Sequence, residues 1–209
     1  METIDFRKDP IYKAPKDPEI ITVPNMLFVA VDGEGAPDSS DNASTDFQIA
    51  MQVIFGVVYT IKFWDKKYTP PKGYKKFTNA PIEALWWTKD GTEFDLSTPD
   101  NWAWRAMLRV PDFVTPQYFT EVVSDCIARK QSYIYSKAQR VEFDEGECVQ
   151  MMHIGPYNEE GPNILRMHAY AKDLGYKLRG RHHELYFGDP RRTKPEKLKT
   201  ILRQPISKD

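Results

Sequence analysis

Cysteine is nearly absent from this chain. Its two cysteines, Cys126 and Cys148, stand far apart and form no Cys-x-x-Cys pair. That excludes a disulfide scaffold and points to a reducing, cytoplasmic compartment. Surplus charge is missing too: 29 Lys and Arg against 30 Asp and Glu leave a net charge of −1. Direct binders of nucleic acid usually carry a basic excess, so no nucleic-acid partner is expected. No apolar run approaches the ~18 residues of a membrane span. The start, Met1-Glu2-Thr3-Ile4-Asp5, lacks the basic-then-apolar pattern of a signal peptide, so no membrane partner is expected either. The four histidines show no metal-ligand spacing, and Gly33-x-Gly35 is too short for a nucleotide loop. Neither a metal nor a cofactor is expected.

Aromatic residues are plentiful, with five Trp, eleven Tyr and eleven Phe. Such a supply suits packing, a stacking pocket or a homodimer face alike. Two of the aromatic clusters lie in a repeat. Ala84-Leu85-Trp86-Trp87 precedes Leu108-Arg109-Val110-Pro111, and Glu184-Leu185-Tyr186-Phe187 precedes Leu202-Arg203-Gln204-Pro205. Self-similarity of this kind marks an internal duplication. Within it, Ala84 of the first copy is replaced by a carboxylate, Glu184, in the second.

Periodicity and turn signals give the elements. Residues 1–20 are polar and Pro-bearing and read as an N-terminal arm. Residues 21–209 read as one domain, with a first module over about 21–110 and a second over about 111–209. A strand is expected over Met26–Val31, broken at Asp32-Gly33-Glu34-Gly35 and followed by a Ser/Asp/Asn-rich loop. Ser44 or Thr45 can cap a helix whose apolar face is Phe47, Ala50, Ile54, Val57, Val58 and Ile61. Strands follow at Phe77–Asn79, Glu83–Thr88 and Trp102–Arg109, with a turn over Gly91–Pro99 between the last two. Thr115-Pro116 opens a further helix. Tyr133–Phe143 reads as extended or irregular, and Cys148–Ile154 as a strand. Asn158, Glu159 and Glu160 suit the start of a helix that Gly175 ends. His183–Phe187 and Thr200–Ile206 close the chain, with a single helical turn at Pro195. The fold class is therefore α+β. Duplicated strand–helix–strand–strand modules form one antiparallel sheet, with helices on one face and an open ligand cleft.

These features resemble the GyrI-like small-molecule-binding superfamily. The resemblance runs from about Ile21 to Ile206 and rests on His182-His183-Glu184-Leu185-Tyr186-Phe187-Gly188-Asp189-Pro190-Arg191-Arg192, on Lys197 to Pro205 and on Glu83-Ala84-Leu85-Trp86-Trp87. It implies a protein that binds an aromatic small molecule. The stretch before Met26 is too short for a helix-turn-helix, so the chain is similar to the stand-alone members rather than to regulators that carry an effector-binding domain. Some stand-alone members, the cyclopropanoid cyclopropyl hydrolases, open cyclopropane-bearing, DNA-alkylating natural products, and so serve in detoxification. The other functions implied are sequestration of aromatic or cationic molecules without chemistry, and gyrase interaction.

Strand alternation sorts the candidate residues by face. If Leu185 and Phe187 face the helices, Glu184 and Tyr186 point together to the open side, with Trp86 opposite. From composition alone Glu184 reads as a solvated strand residue; the resemblance makes it the pocket glutamate. A desolvated carboxylate can act as a general base or pair with a cation stacked on aromatic rings. Glu184 and Tyr186 are thus the catalytic candidates. Tyr186, Tyr157, Tyr135 and Tyr170 are candidate hydroxyl donors to a developing oxyanion. Trp86, Trp87, Glu83, Tyr135, Tyr157 and Tyr170 are the ligand-binding candidates. Alternation nevertheless places Glu83 and Trp87 with Leu85; Glu83 reaches the cleft only through a bulge or if the faces are inverted. Glu145 and Glu147 read as turn charges, His153 and His168 as structural, and Cys126 as core. Arg179, Arg181, Arg191 and Arg192 form a basic patch.

Overall fold

A computed structural model of the chain describes residues 3–37, 46–91 and 99–208. The expected caps Ser44 and Thr45, the Ser/Asp/Asn-rich loop beyond Pro37 and most of the Gly91–Pro99 turn lie outside these residues. In chain order the strands are β1 (Ile4–Asp5), β2 (Glu19–Val23), β3 (Met26–Glu34), β4 (Phe77–Thr78), β5 (Ile82–Thr88), β6 (Trp102–Val110), β7 (Gln139–Phe143), β8 (Gly146–Ile154), β9 (Lys177–Leu178), β10 (His182–Phe187) and β11 (Lys199–Ser207). The helices are α1 (Asp46–Lys62), α2 (Pro116–Lys130) and α3 (Gly161–Asp173). Among the described residues nine strands form one antiparallel sheet in the order β2-β8-β11-β10-β5-β6-β3-β7, with β9 on β11 outside this path. β1 and β4 pair separately, in parallel.

The two modules are β3-α1-β5-β6 and β8-α3-β10-β11. They meet where β5 pairs with β10, and there the repeat equivalents Ala84 and Glu184 are direct cross-strand partners. Equivalent residues can face each other only where the pseudo-two-fold axis passes between them. The one substitution that breaks the repeat's symmetry therefore stands on the axis.

Helix α1 buries Ala50, Val53, Ile54, Val57, Val58 and Ile61, the stripe its spacing implies. It lies on β3 and β6. Gly56 interrupts it because the Tyr135 ring closes on that position; a Cβ there would meet the ring at 2.5 Å. Thr115 caps α2 by accepting from the Tyr118 N–H, with Pro116 in the first turn. α2 packs on α1, and the Tyr118 hydroxyl donates to the Ile61 carbonyl. α3 seals a smaller core with Val149, Met151, Met167, Ala171, Leu202 and Ile206.

The strand expected to break after Val31 runs on to Glu34. Gly33 is part of the ladder, opposite Trp104. It is glycine because the indole of Trp104 lies over it, and a Cβ would stand 2.3 Å from that ring. The stretch around 139–143 is a true edge strand on β3. The N-terminal arm is not loose. It carries β1 and the start of β2, buries Phe6, Ile11 and Tyr12, and fixes Arg109 through an ion pair to Asp9 at 2.8 Å.

Overpacking a filled site costs about 1–3 kcal/mol. Gly33→Ala is accordingly expected to lower stability by about 3 kcal/mol in chemical denaturation, at the strained end of that range. An unchanged midpoint would mean that the Trp104 ring is not seated there.

Candidate functional site

The alternation of β10 divides its side chains cleanly. His182, Glu184 and Tyr186 share one face with Trp86 and Ala84 of β5, with Trp104 of β6 and with Thr200 and Leu202 of β11. This is the face the helices cover. Phe47 of α1 stacks on Trp86 at 5.9 Å and meets Trp104 edge-on at 5.0 Å. The core beneath α3 contains Leu202. The expected assignment of faces is thus inverted: Glu184 and Tyr186 point toward the helix layer, where α1 and α3 cover opposite halves of the sheet. The reason is that Leu185 and Phe187, apolar though they are, serve the opposite core, which the N-terminal arm completes.

Glu184 is only 5% exposed. Its Oε2 accepts from the Tyr186 hydroxyl at 2.6 Å, and its Oε1 lies 3.2 Å from His182 Nε2. Tyr186 in turn accepts from Trp86 Nε1 at 2.9 Å. The Tyr186 proton is therefore committed to Glu184. Burial, reinforced by the neighbouring Glu184 charge, holds this phenol well above its usual range, so it stays protonated. Tyr157 meets the Tyr186 ring edge-on at 5.5 Å, and Trp102 meets Trp86 at 5.7 Å. The result is a buried carboxylate with aromatic side chains packed around it.

A second acid completes it. Glu160 stands at the N-cap of α3, 1% exposed, and its side chain caps nothing. It lies instead beside Glu184 and Thr200. The expectation that Glu160 serves the helix terminus is corrected by magnitudes. A helix dipole favours a carboxylate by about 0.3–1 kcal/mol, less than one pKa unit. Burial and the like charge of Glu184 act the other way and push Glu160 up to about 10. Burial beside a second acid thus disfavours the ionised form of Glu160. No periodicity signals this role; only the pairing of His153 with Thr200, which brings the start of α3 over β11, creates it. His168 of α3, near His182, is held down to about 4 by burial and is neutral.

Glu83 and Trp87 lie on the opposite face, as alternation requires. Glu83 accepts from the Tyr12 hydroxyl at 2.7 Å and lies 3.1 Å from His183 Nε2. His183 Nδ1 is 2.8 Å from Glu145, which also pairs with Arg203 at 3.3 Å. All four charged groups are fully buried. Arg203 donates to the Ile11 carbonyl at 2.6 Å, and Gln150 to the Lys13 carbonyl at 2.9 Å, so the knot binds the arm to the sheet. Glu145 is therefore no turn charge. Burial alone would raise it, but His183 and Arg203 override that and hold it below the usual carboxylate range. Burial would likewise depress His183; Glu145 and Glu83 outweigh it and raise the imidazole to about 9. Trp87 stacks under the Arg181 guanidinium at 3.4 Å. Tyr135 is locked between α1 and Lys130, whose Nζ donates to its hydroxyl at 2.8 Å. Tyr170 is part-exposed on α3. Of the residues expected at the site, the structure brings together Glu184, Tyr186, Trp86 and Tyr157; Glu83, Trp87 and Tyr135 have other partners. Glu160, His182, Thr200, Phe47 and Trp102 join the first group. Among the described residues no cluster of His, Cys, Asp or Glu could hold a metal ion, and no helix is long and apolar enough to cross a membrane.

The pH dependence of stability follows from the raised groups. Unfolded, His183 titrates near 6.5 and Glu160 near 4.5; folded, they titrate near 9 and 10. Each holds a proton that the unfolded chain releases first, so its stabilisation is complete below the unfolded value and is lost as pH rises toward the folded one. Glu145 acts oppositely, contributing above 4.5 and losing its contribution as pH falls. Denaturation midpoints are expected to decline from pH 6.5 to 9. Glu160→Gln should be more stable than wild type at pH 8, by a margin that shrinks toward pH 5; a margin independent of pH would contradict a protonated Glu160. Tyr12→Phe should cost about 1.5–3 kcal/mol, as for a hydrogen bond to a charged group, and expose the arm to proteolysis; an arm as resistant as in wild type would contradict the clasp.

The geometry has counterparts among known proteins. Residues 16–207 match the family model of the GyrI-like small molecule binding domain. An uncharacterized conserved protein from Listeria innocua is 39% identical, with a TM-score of 0.89 over 98% of this chain and 100% of that one. A hydrolase from Listeria innocua is 38% identical, with a TM-score of 0.89 over 99% and 100%. The C-terminal domain of EcmrR, at 13% identity and a TM-score of 0.56 over 92% and 98%, shares the fold alone. Among curated proteins no sequence matches. With nearly the whole chain matched, this protein belongs to the GyrI-like small-molecule-binding family.

Proposed function

We propose that this chain is a cytoplasmic hydrolase of electrophilic small molecules, and that its substrates are cyclopropane-bearing aromatic compounds. The observation that carries this reading is the buried Glu184 carboxylate, which accepts from Tyr186 at one oxygen and has His182 Nε2 3.2 Å from the other, with Trp86 donating to Tyr186. Two structures of hydrolases from Listeria innocua, 37% and 38% identical over full length, support it. A desolvated carboxylate held in one orientation is suited to take a proton from water. Water oxygen then bonds to the strained ring CH2, the ring C–C bond breaks, and its electrons move through the conjugated system to the carbonyl oxygen. Trp86, Phe47, Trp102 and Tyr157 supply flat apolar surface for an aromatic substrate. In this reading Tyr186 orients Glu184 and is not the oxyanion donor, since its proton already serves Glu184.

The same aromatic walls favour one other reading: retention of a flat ligand without chemistry, with the carboxylate facing any cationic group. Incubation with a duocarmycin-type spirocyclopropyl dienone, followed by mass spectrometry, separates the two. Hydrolysis adds one water to the compound. Glu184→Gln should lower turnover at least ~100-fold, the scale of a lost general base. Turnover unchanged in that variant would remove Glu184 as the base; unchanged compound retained on wild type would favour sequestration.

A further inference from the structure

We propose that Glu160 is the acid of this site and works with Glu184 as a pair that holds one proton between them. The inference rests on the hydrolase reading above and assigns that reaction its proton donor.

The geometry points to Glu160 by its placement. Ring opening leaves negative charge on the substrate oxygen, which needs a proton. The Tyr186 hydroxyl, the nearest phenol, is already donating to Glu184. Tyr135 is buried between α1 and Lys130, and Tyr170 lies on the exposed side of α3. Glu160 is buried, sits over β11 beside Glu184 and Thr200, and has an Oε1 with no hydrogen-bond partner among the described residues. A carboxyl group this enclosed is a costly feature to keep, since burial without full pairing is unfavourable. The titratable groups facing the pair are Tyr186 and His182 on β10, Tyr157 before α3 and the neutral His168 on α3. Two like charges in contact cannot both ionise, so the two acids carry one proton at neutral pH, as in the dyads of aspartic proteases.

The proton balance closes. Glu184 takes a proton from water as the C–O bond forms, and the pair then holds two. Glu160 gives its proton to the oxygen that received the ring electrons, and the pair again holds one. The proton left on Glu184 returns to Glu160 across their contact. The pair thus returns to its starting proton count after each turnover.

The test uses full-length protein and the same spirocyclopropyl dienone. Glu160→Gln keeps the shape and a hydrogen-bond donor but has no proton to give, so kcat should fall ~100-fold or more with KM nearly unchanged, as for loss of a general acid. Glu160→Asp should recover part of the loss. Independently of substrate, infrared difference spectra at pH 8 should show a protonated carboxyl stretch in wild type that disappears in Glu160→Gln. A Glu160→Gln variant as fast as wild type overturns the proposal, as does absence of that band in wild type. Wild type that hydrolyses nothing overturns the underlying reading and the acid role with it. The infrared band tells that outcome apart from failure of the pair itself.

Discussion

The antiparallel pairing of β5 with β10 is the contact on which the rest of the molecule depends. It joins the two modules into one sheet, and it puts the axis of the duplication between Ala84 and Glu184. Any side chain at such a position sits at the middle of the sheet, as far from its edges as the fold allows. In one copy the position holds a methyl group, which leaves room; in the other it holds a carboxylate. An exact repeat would have put either two methyls or two like charges on the axis. The first would leave no chemistry there, and the second would repel. The departure from symmetry is what places a single buried carboxylate on the axis of a nearly symmetric fold.

The sheet buries acids on both faces and solves the problem in two different ways. On the arm side, Glu83 and Glu145 are offset by His183 and Arg203, so the buried charges balance. Such a knot is a structural clasp: removing one partner would strand another in a dry interior. On the helix side, among the described residues, no Lys or Arg pairs with the two acids, and His182 stands 3.2 Å from Glu184. There burial and the like charge of Glu184 raise Glu160 instead, and the proposed shared proton would let the pair give and take protons rather than hold structure. The adjacent residues His183 and Glu184 belong to different faces and do different work, one fastening the arm and the other facing the chamber.

Much of this was legible in the sequence. The duplication, the three helices, the paired strands of each module and the grouping of Glu184 with Tyr186 and Trp86 all follow from periodicity and repetition. The GyrI-like resemblance agrees with the family match. What was not legible depended on long-range placement. Which face of β10 meets the helices is not decided by alternation, since Leu185 and Phe187 would suit either core; the arm's Ile11 and Tyr12 settle it by completing the second one. Gly33 reads as a break until the Trp104 ring is known to lie over it. Glu160 reads as a helix-terminus charge, and Glu145 as a turn charge, because nothing local announces that either is buried. A buried acid written into a polar segment is the kind of feature a sequence hides best.

The central claim is that the Glu184 chamber between α1 and α3 is where the substrate lies. Crystals of the Glu184→Gln variant soaked with a spirocyclopropyl dienone test it directly. The account places the ring CH2 near residue 184 and the carbonyl oxygen near Glu160, with the aromatic plane against Trp86. The contradicting result is a ligand held elsewhere, for example in the cavity of about 470 Å3 between α1 and α2 lined by Phe55, Tyr59, Phe63 and Arg129, with the Glu184 chamber left without it.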